Sequence, residues 1–137
     1  MSEAQRIAEV IQREDEASRW MGMKVEEVRP GYARLTMRVA EHMVNGQKVC
    51  HGGLIFALAD SSFGYACNSH NHRALAAGAS IDFIRPAQLG ELLTAECTEN
   101  TRAGRRGIYD ARVVNQRGDT IAVFRGESAI VKGTWIE

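Results

Sequence analysis

Asn45-Gly46-Gln47-Lys48-Val49-Cys50-His51-Gly52-Gly53, followed without a break by Leu54-Ile55-Phe56-Ala57-Leu58-Ala59-Asp60-Ser61-Ser62-Phe63-Gly64-Tyr65-Ala66-Cys67-Asn68-Ser69-His70, decides how this chain reads. It is a loop that ends in His51-Gly52-Gly53 and opens directly into a helix. From Leu54 to Cys67 almost every side chain is apolar or small, all the way round, which predicts a helix buried on all sides. One carboxylate, Asp60, stands in its middle, and a buried acid is costly unless it is paired or used. The two glycines leave backbone N–H groups at the positive end of the helix, where developing negative charge is stabilised. An acid and an oxyanion donor on one short segment point to an active site.

N-terminal to this segment, Ile7, Val10, Ile11, Ala17 and Met21 recur at helical spacing among Gln5, Arg6, Glu9, Arg13, Glu14 and Glu16, which predicts a surface helix over 3–20 with one buried stripe. A short strand is expected over 23–28, and Arg29-Pro30-Gly31 signals a turn. Ala33, Leu35, Met37 and Val39 then alternate with Arg34, Thr36 and Arg38, the period of a half-buried strand.

C-terminal to it, the same period marks 77–85, 91–98 and 107–114, while 120–131 is apolar on both faces and reads as a central strand. Asn100 to Arg106 and Asn115 to Asp119 read as hairpin loops. A helix, two strands, a buried helix and a four-stranded meander make an antiparallel α+β domain. The chain reads as one domain over 1–137, with the N-terminal helix in 1–20 and the central helix in 52–68. One apolar helix can cover a single sheet if the sheet curls around it. The remaining strand edges are most simply resolved by pairing with another subunit.

Composition narrows the function. Lys plus Arg and Asp plus Glu are 17 each, so no overall charge draws the chain to nucleic acid or to a membrane. No apolar run has the length of a membrane span, and the first residues lack the order of a signal peptide. Three cysteines, Cys50, Cys67 and Cys97, without disulfide-like spacing fit a reducing cytoplasm.

Asn45-Gly46, Cys50-His51-Gly52-Gly53, Leu58-Ala59-Asp60 and Tyr65-Ala66-Cys67-Asn68-Ser69 resemble the hotdog-fold acyl-CoA thioesterases, in the branch of bacterial phenylacetic acid degradation. Ile81-Asp82-Phe83, Arg85-Pro86, Tyr109-Asp110, Val114-Asn115-Gln116 and Phe124-Arg125-Gly126 support the likeness, which runs from about residue 20 to 133. It implies the hotdog fold, a curled antiparallel β-sheet wrapped around one central buried helix. It also implies a homo-oligomer, a dimer or a tetramer of two dimers, with active sites at the dimer interface. In such a site one subunit gives the helix start at His51-Gly52 and the other gives Asp60.

The activity expected is hydrolysis of an acyl-CoA, with phenylacetyl-CoA and hydroxyphenylacetyl-CoA first in line, to free acid and Coenzyme A. Asp60 acts as general base or as nucleophile; the competing reading is a helix acid satisfied by Ser61 or Ser62. The Gly52 N–H is the oxyanion donor, although Gly52 and Gly53 also suit a tight turn. His51 either orients the thioester or water or holds the loop, and Asn45 either reaches the carbonyl or shapes its turn. Gly53 and Ser61 join the substrate-binding candidates, and Arg85, Arg102, Arg105 and Arg106 are the candidates for the CoA phosphates, the competing reading being an exposed basic hairpin. Cys50 is not read as a nucleophile, since no third group orients it. His70 and His72 lie in a polar loop read as solvated, and no metal or other cofactor is expected. The alternatives are a hotdog-fold enoyl-CoA hydratase or dehydratase, and a non-catalytic acyl-CoA binding module.

Overall fold

A computed structural model describes residues 1–137. The chain starts with two helices, α1 (Glu3–Glu14) and α2 (Glu16–Trp20). The single helix expected over 3–20 is interrupted at Asp15, whose carboxylate accepts the Ser18 amide at 3.1 Å and caps a new helix. The buried stripe shifts with that break. In α1 it consists of Ala4, Ile7 and Ala8, whereas in α2 the buried residue is Ser18 and Ala17 faces solvent.

Two strands follow, β1 (Lys24–Arg29) and β2 (Tyr32–Arg38), joined by a turn in which Gly31 takes φ +73°. A 3-10 turn at Glu41–Met43 leads through the loop to the central helix, α3 (Gly52–Cys67). The remaining strands are β3 (Ala74–Phe83), β4 (Leu92–Ala103), β5 (Arg106–Val114) and β6 (Thr120–Ile130). The β4–β5 hairpin is tighter than expected: Ala103 still pairs with Arg106, and only Gly104, at φ +60°, and Arg105 make the turn.

All six strands form one antiparallel sheet in the order β1-β2-β4-β5-β6-β3. The last four strands are therefore not a simple meander, because β3 pairs with β6 from Ala74↔Ile130 to Phe83↔Ala122. The expected curled sheet wrapped around the helix is also corrected. β1 and β3 stand at opposite edges and do not meet, so the sheet is open and α3 lies on one face of it. The helix is accordingly not buried on all sides. Gly53 is exposed and Ala57, Asp60, Ser61 and Gly64 are only half-buried, at the spacing of a single helix face. The apolar circumference misled because alanine and glycine look alike in sequence whether they meet a sheet or stand open.

The covered side of α3 packs on a regular row. Ala33, Cys97, Ala111 and Phe124 are register partners across β2, β4, β5 and β6, and all are buried. Small residues there make room for Phe63 of α3, whose ring lies 5.6 Å from Tyr109 and 5.8 Å from Phe124. A Cβ at Gly126 would approach Phe63 to 2.8 Å, so only glycine fits under that ring. Burial of a side chain of this size stabilises the fold by roughly 1.5–3 kcal/mol.

Asn68 finishes α3. Its amide donates to the carbonyls of Gly64 and Ala74, and its Oδ1 accepts from the Ala74 amide at 2.9 Å and the Trp135 indole at 2.8 Å. Asn71 holds the same C-terminal segment by accepting from the amides of Trp135 and Ile136. These bonds fix the far end of α3, and the loop before Gly52 fixes the near end.

Candidate active site

The helix start is built by its preceding loop. Asn45 Oδ1 accepts the amides of Gln47 at 2.9 Å and Val49 at 3.4 Å, so this oxygen shapes the turn, and Lys48 takes φ +64° within it. The Asn45 amide nitrogen has no partner in the chain and is available to donate. The loop closes where the His51 amide donates to the Met43 carbonyl at 2.8 Å and the Cys50 amide to the Ala87 carbonyl at 2.8 Å.

His51 is the N-cap of α3: its Nδ1 accepts the Gly53 amide at 2.9 Å. The amides of Leu54 and Ile55 both donate to the His51 carbonyl, at 2.9 and 3.3 Å. Among the first-turn amides the Gly52 N–H is thus left without an acceptor in the chain. The Nδ1 lone pair faces the cap, so the proton of the neutral ring is on Nε2. His51 itself is exposed.

Asp60 lies two turns further along α3, half-buried on its open face. Neither adjacent serine partners it. Ser62 Oγ donates to the Ala59 carbonyl at 2.6 Å, and Ser61 Oγ meets Ser18 Oγ at 3.1 Å. Burial alone pushes the Asp60 carboxyl above the ordinary range, with no compensating donor. A carboxylate poised in this way suits base or nucleophile chemistry. Cys50 does not: burial pushes its thiol up to about 11, which keeps it neutral.

Two depressions flank the helix start. One, of about 310 Å³, lies between Cys50, Gly52, Ile55, Phe83, Arg85 and Pro86. The other, of about 410 Å³, is lined by His42, Met43, Val44, His51, Gly53 and Leu54. The structure therefore brings Gly52, His51, Gly53 and Arg85 to one end of α3. Phe83 belongs with them, since a Cβ on Gly52 would sit 3.2 Å from its ring. The sequence places Phe83 in a strand and among the segments that support the resemblance, not in the site; its exposure, 53%, sets it apart from the core.

The four arginine candidates do not cluster. Arg85 pairs with Asp119 at 3.8 Å beside the β5–β6 hairpin. Arg102 pairs with Glu99 at 3.2 Å and Arg106 with Glu127 at 2.5 Å, both beside the β4–β5 hairpin, where Arg105 also lies. The two groups sit at opposite ends of β5, about 30 Å apart for nine extended residues. His70 is not in a solvated loop either: its Nε2 lies 2.7 Å from Glu99 Oε1, which Tyr109 also bonds.

A family model described as the thioesterase superfamily matches residues 47–122, the span from the loop before His51 into β6. The chain belongs to the thioesterase superfamily. This thioesterase is 39% identical over 127 residues to the acyl-coenzyme A thioesterase PaaI of Escherichia coli, covering 93% of this chain and 91% of the relative. It superposes on the structure of the E. coli PaaI protein from the phenylacetic acid degradation operon with a TM-score of 0.95 at 39% identity, covering 96% of each. A Streptococcus mutans protein, smu.793, solved bound to acetyl CoA, shares the fold with a TM-score of 0.79 at 21% identity, over 82% of this chain and 90% of that one. The thioesterase is a hotdog-fold enzyme of the PaaI type, and its activity is that of an acyl-CoA thioesterase. None of its helices is long and apolar enough to cross a membrane.

Proposed function

We propose that the site is completed by a second copy of the chain, with the Gly52 amide of one protomer and Asp60 of the other acting on one thioester. The supporting observation is a distance. Eight residues of helix separate the two groups within a protomer, roughly 12 Å at ~1.5 Å per residue. An oxyanion donor works from about 3 Å and an attacking atom from roughly 3–3.5 Å, so one carbonyl does not span that gap. The open face of α3 and the exposed edge strand β3 supply the surface for such a partner. The assembly is then a dimer, or a tetramer of two dimers.

In this reading Asp60 either draws a proton from the water that attacks the carbonyl, or attacks the carbonyl itself to form an anhydride that water then hydrolyses to the free acid. The Gly52 N–H stabilises the oxyanion, and CoA leaves as the thiol. Asn45 offers its free amide nitrogen, and His51 both caps the helix and presents Nε2–H. Gly53 lends its small surface to the acyl group, and Ser61 is held by Ser18 at the flank of Asp60. Arg85 is the phosphate donor nearest Gly52, with Arg102, Arg105 and Arg106 at the opposite end. The Streptococcus relative bound to acetyl CoA supports CoA as the carrier, and the PaaI relative from a phenylacetic acid degradation operon supports an arylacetyl group, phenylacetyl or hydroxyphenylacetyl. The reading takes residues 1–137 as one thioesterase domain. Three free cysteines support a cytoplasmic setting.

The test is thiol release from phenylacetyl-, hydroxyphenylacetyl-, benzoyl- and straight-chain acyl-CoAs by the native enzyme and by Asp60→Ala. Aryl turnover that disappears in a folded Asp60→Ala supports the assignment; full turnover in that variant overturns it.

A further inference from the structure

The N-terminal helices take no part in the chemistry above, yet they are tied to α3 beside Asp60. α2 buries one side chain, Ser18, and its Oγ meets Ser61 Oγ at 3.1 Å. One turn further, Tyr65 OH donates to Asp15 Oδ2 at 2.8 Å. The other Asp15 oxygen, Oδ1, accepts the Ser18 amide at 3.1 Å. A single carboxylate thus starts α2 and grips α3, and the residue it caps grips α3 a turn earlier. Ser61 follows Asp60 directly, and Tyr65 stands four residues on, above Ser61 on the same flank.

Apolar packing holds α2 only at its end, where Met21 packs against the core. Its one large apolar residue, Trp20, is 75% exposed, and a cavity of about 350 Å³ opens between Asp15, Ser18, Lys24 and Tyr65. Against α3 itself, the side-chain hydrogen bonds of α2 and its cap are those of Ser18 to Ser61 and Asp15 to Tyr65. On its open face near Asp60 the helix otherwise presents Ala57 and Gly64, which offer no side-chain hydrogen bond.

We propose that Asp15 and Ser18 are positioning residues of the active site, which orient the α3 turn carrying Asp60 through Tyr65 and Ser61. The inference rests on Asp60 being the catalytic acid. Misplacement by about 1 Å costs up to ~10²-fold in rate, so loss of one bond of the clasp is expected to cost about tenfold in kcat.

The experiment measures kcat, KM and Tm for full-length Asp15→Ala, Asp15→Asn, Ser18→Ala, Tyr65→Phe and Asp60→Ala. Asp15→Ala, Ser18→Ala and Tyr65→Phe are expected to lose about tenfold in kcat with KM within about twofold. Asp15→Asn, which still caps α2 with its carbonyl oxygen and donates to the Tyr65 oxygen through its amide, is expected to recover most of the rate. The Asp15→Ala/Tyr65→Phe double variant is expected to be no worse than Asp15→Ala alone, because Tyr65→Phe breaks only a bond that Asp15→Ala already removes. Native kcat in Asp15→Ala and Tyr65→Phe, with only Tm lowered, overturns the proposal. If Asp15→Ala fails to fold, Tyr65→Phe, which removes a single hydroxyl, decides alone. Inactive Asp60→Ala beside fully active clasp variants defeats this inference only; fully active Asp60→Ala defeats the underlying assignment.

Discussion

The Nδ1 atom of His51 accepts the Gly53 amide at 2.9 Å, so the histidine that precedes the helix consumes one first-turn donor and leaves its neighbour, Gly52, free. The ring acts as a cap, and through that cap it leaves one first-turn amide, that of Gly52, without an acceptor in the chain.

That relationship gives a backbone test. Gly52 is the first residue of α3, where proline is tolerated, and His51 at ψ 130° already has the extended backbone a following proline requires. Gly52→Pro deletes the N–H; Gly52→Ala adds the same Cβ against Phe83 but keeps it. Turnover in Gly52→Pro is expected to fall roughly 10²–10³-fold below that of Gly52→Ala. Equal kcat in the two variants, both shown folded by circular dichroism, refutes the oxyanion role.

In the proposed assignment Asp60 ties activity to pH, and its burial opposes stability. Burial raises its pKa in the fold, so turnover falls as pH drops through a value above the unperturbed ~3.9. The charged form is the penalised one, so Asp60→Asn is expected to melt higher than the native enzyme at pH 7. That advantage shrinks as pH falls through the raised folded-state pKa and is gone below ~3.9, where both states of the native protein are protonated. Identical melting temperatures at pH 7 contradict the burial argument.

His51 separates cap from chemistry. His51→Ala is expected to lose about 1 kcal/mol of stability, and His51→Asn, a favoured cap, to regain it. If His51→Asn is stable but slower than native, the imidazole has a chemical part beyond the cap; urea melts and kcat measured on the same samples decide.

The edge strand tests the assembly. Ala77 and Ala79 of β3 are exposed in the single chain. In a twofold pairing of β3 about its middle, position 77 of one protomer faces position 79 of the other, so Ala77→Asp/Ala79→Asp sets like charges opposite one another and is expected to dissociate the oligomer and lose activity with it. Sedimentation and thiol release read the two effects. An unchanged mass excludes β3 as the contact.

Much of this was readable beforehand because local periodicity reports local structure. The alternation of Leu93, Ala95 and Cys97, and the apolar run from Leu54 to Cys67, each mark one strand and one helix wherever they fold. The thioesterase resemblance of His51-Gly52-Gly53 and Leu58-Ala59-Asp60 is matched by the family model. What failed was non-local. Nothing near Ala74–Phe83 says that its partner is β6, some forty residues on, or that the sheet stays open at β1 and β3. The break at Asp15 was hidden because a capping carboxylate and a solvent-facing one look alike in a helical pattern. Arg85 and Arg102 seemed equivalent because their separation along β5 is a property of register, which charge does not reveal.

The late pairing of β3 has a consequence for biosynthesis. At roughly 5–20 residues per second, the 37 positions from Phe83 to Thr120 take about 2–7 s to emerge from the ribosome. Throughout that interval the ten largely apolar residues of β3 have no β6 to pair with, on a nascent chain held close to others of its kind. The most exposed strand of the finished protomer is thus also the one whose only strand partner is the last to be made, so crowding on polysomes meets it unpaired.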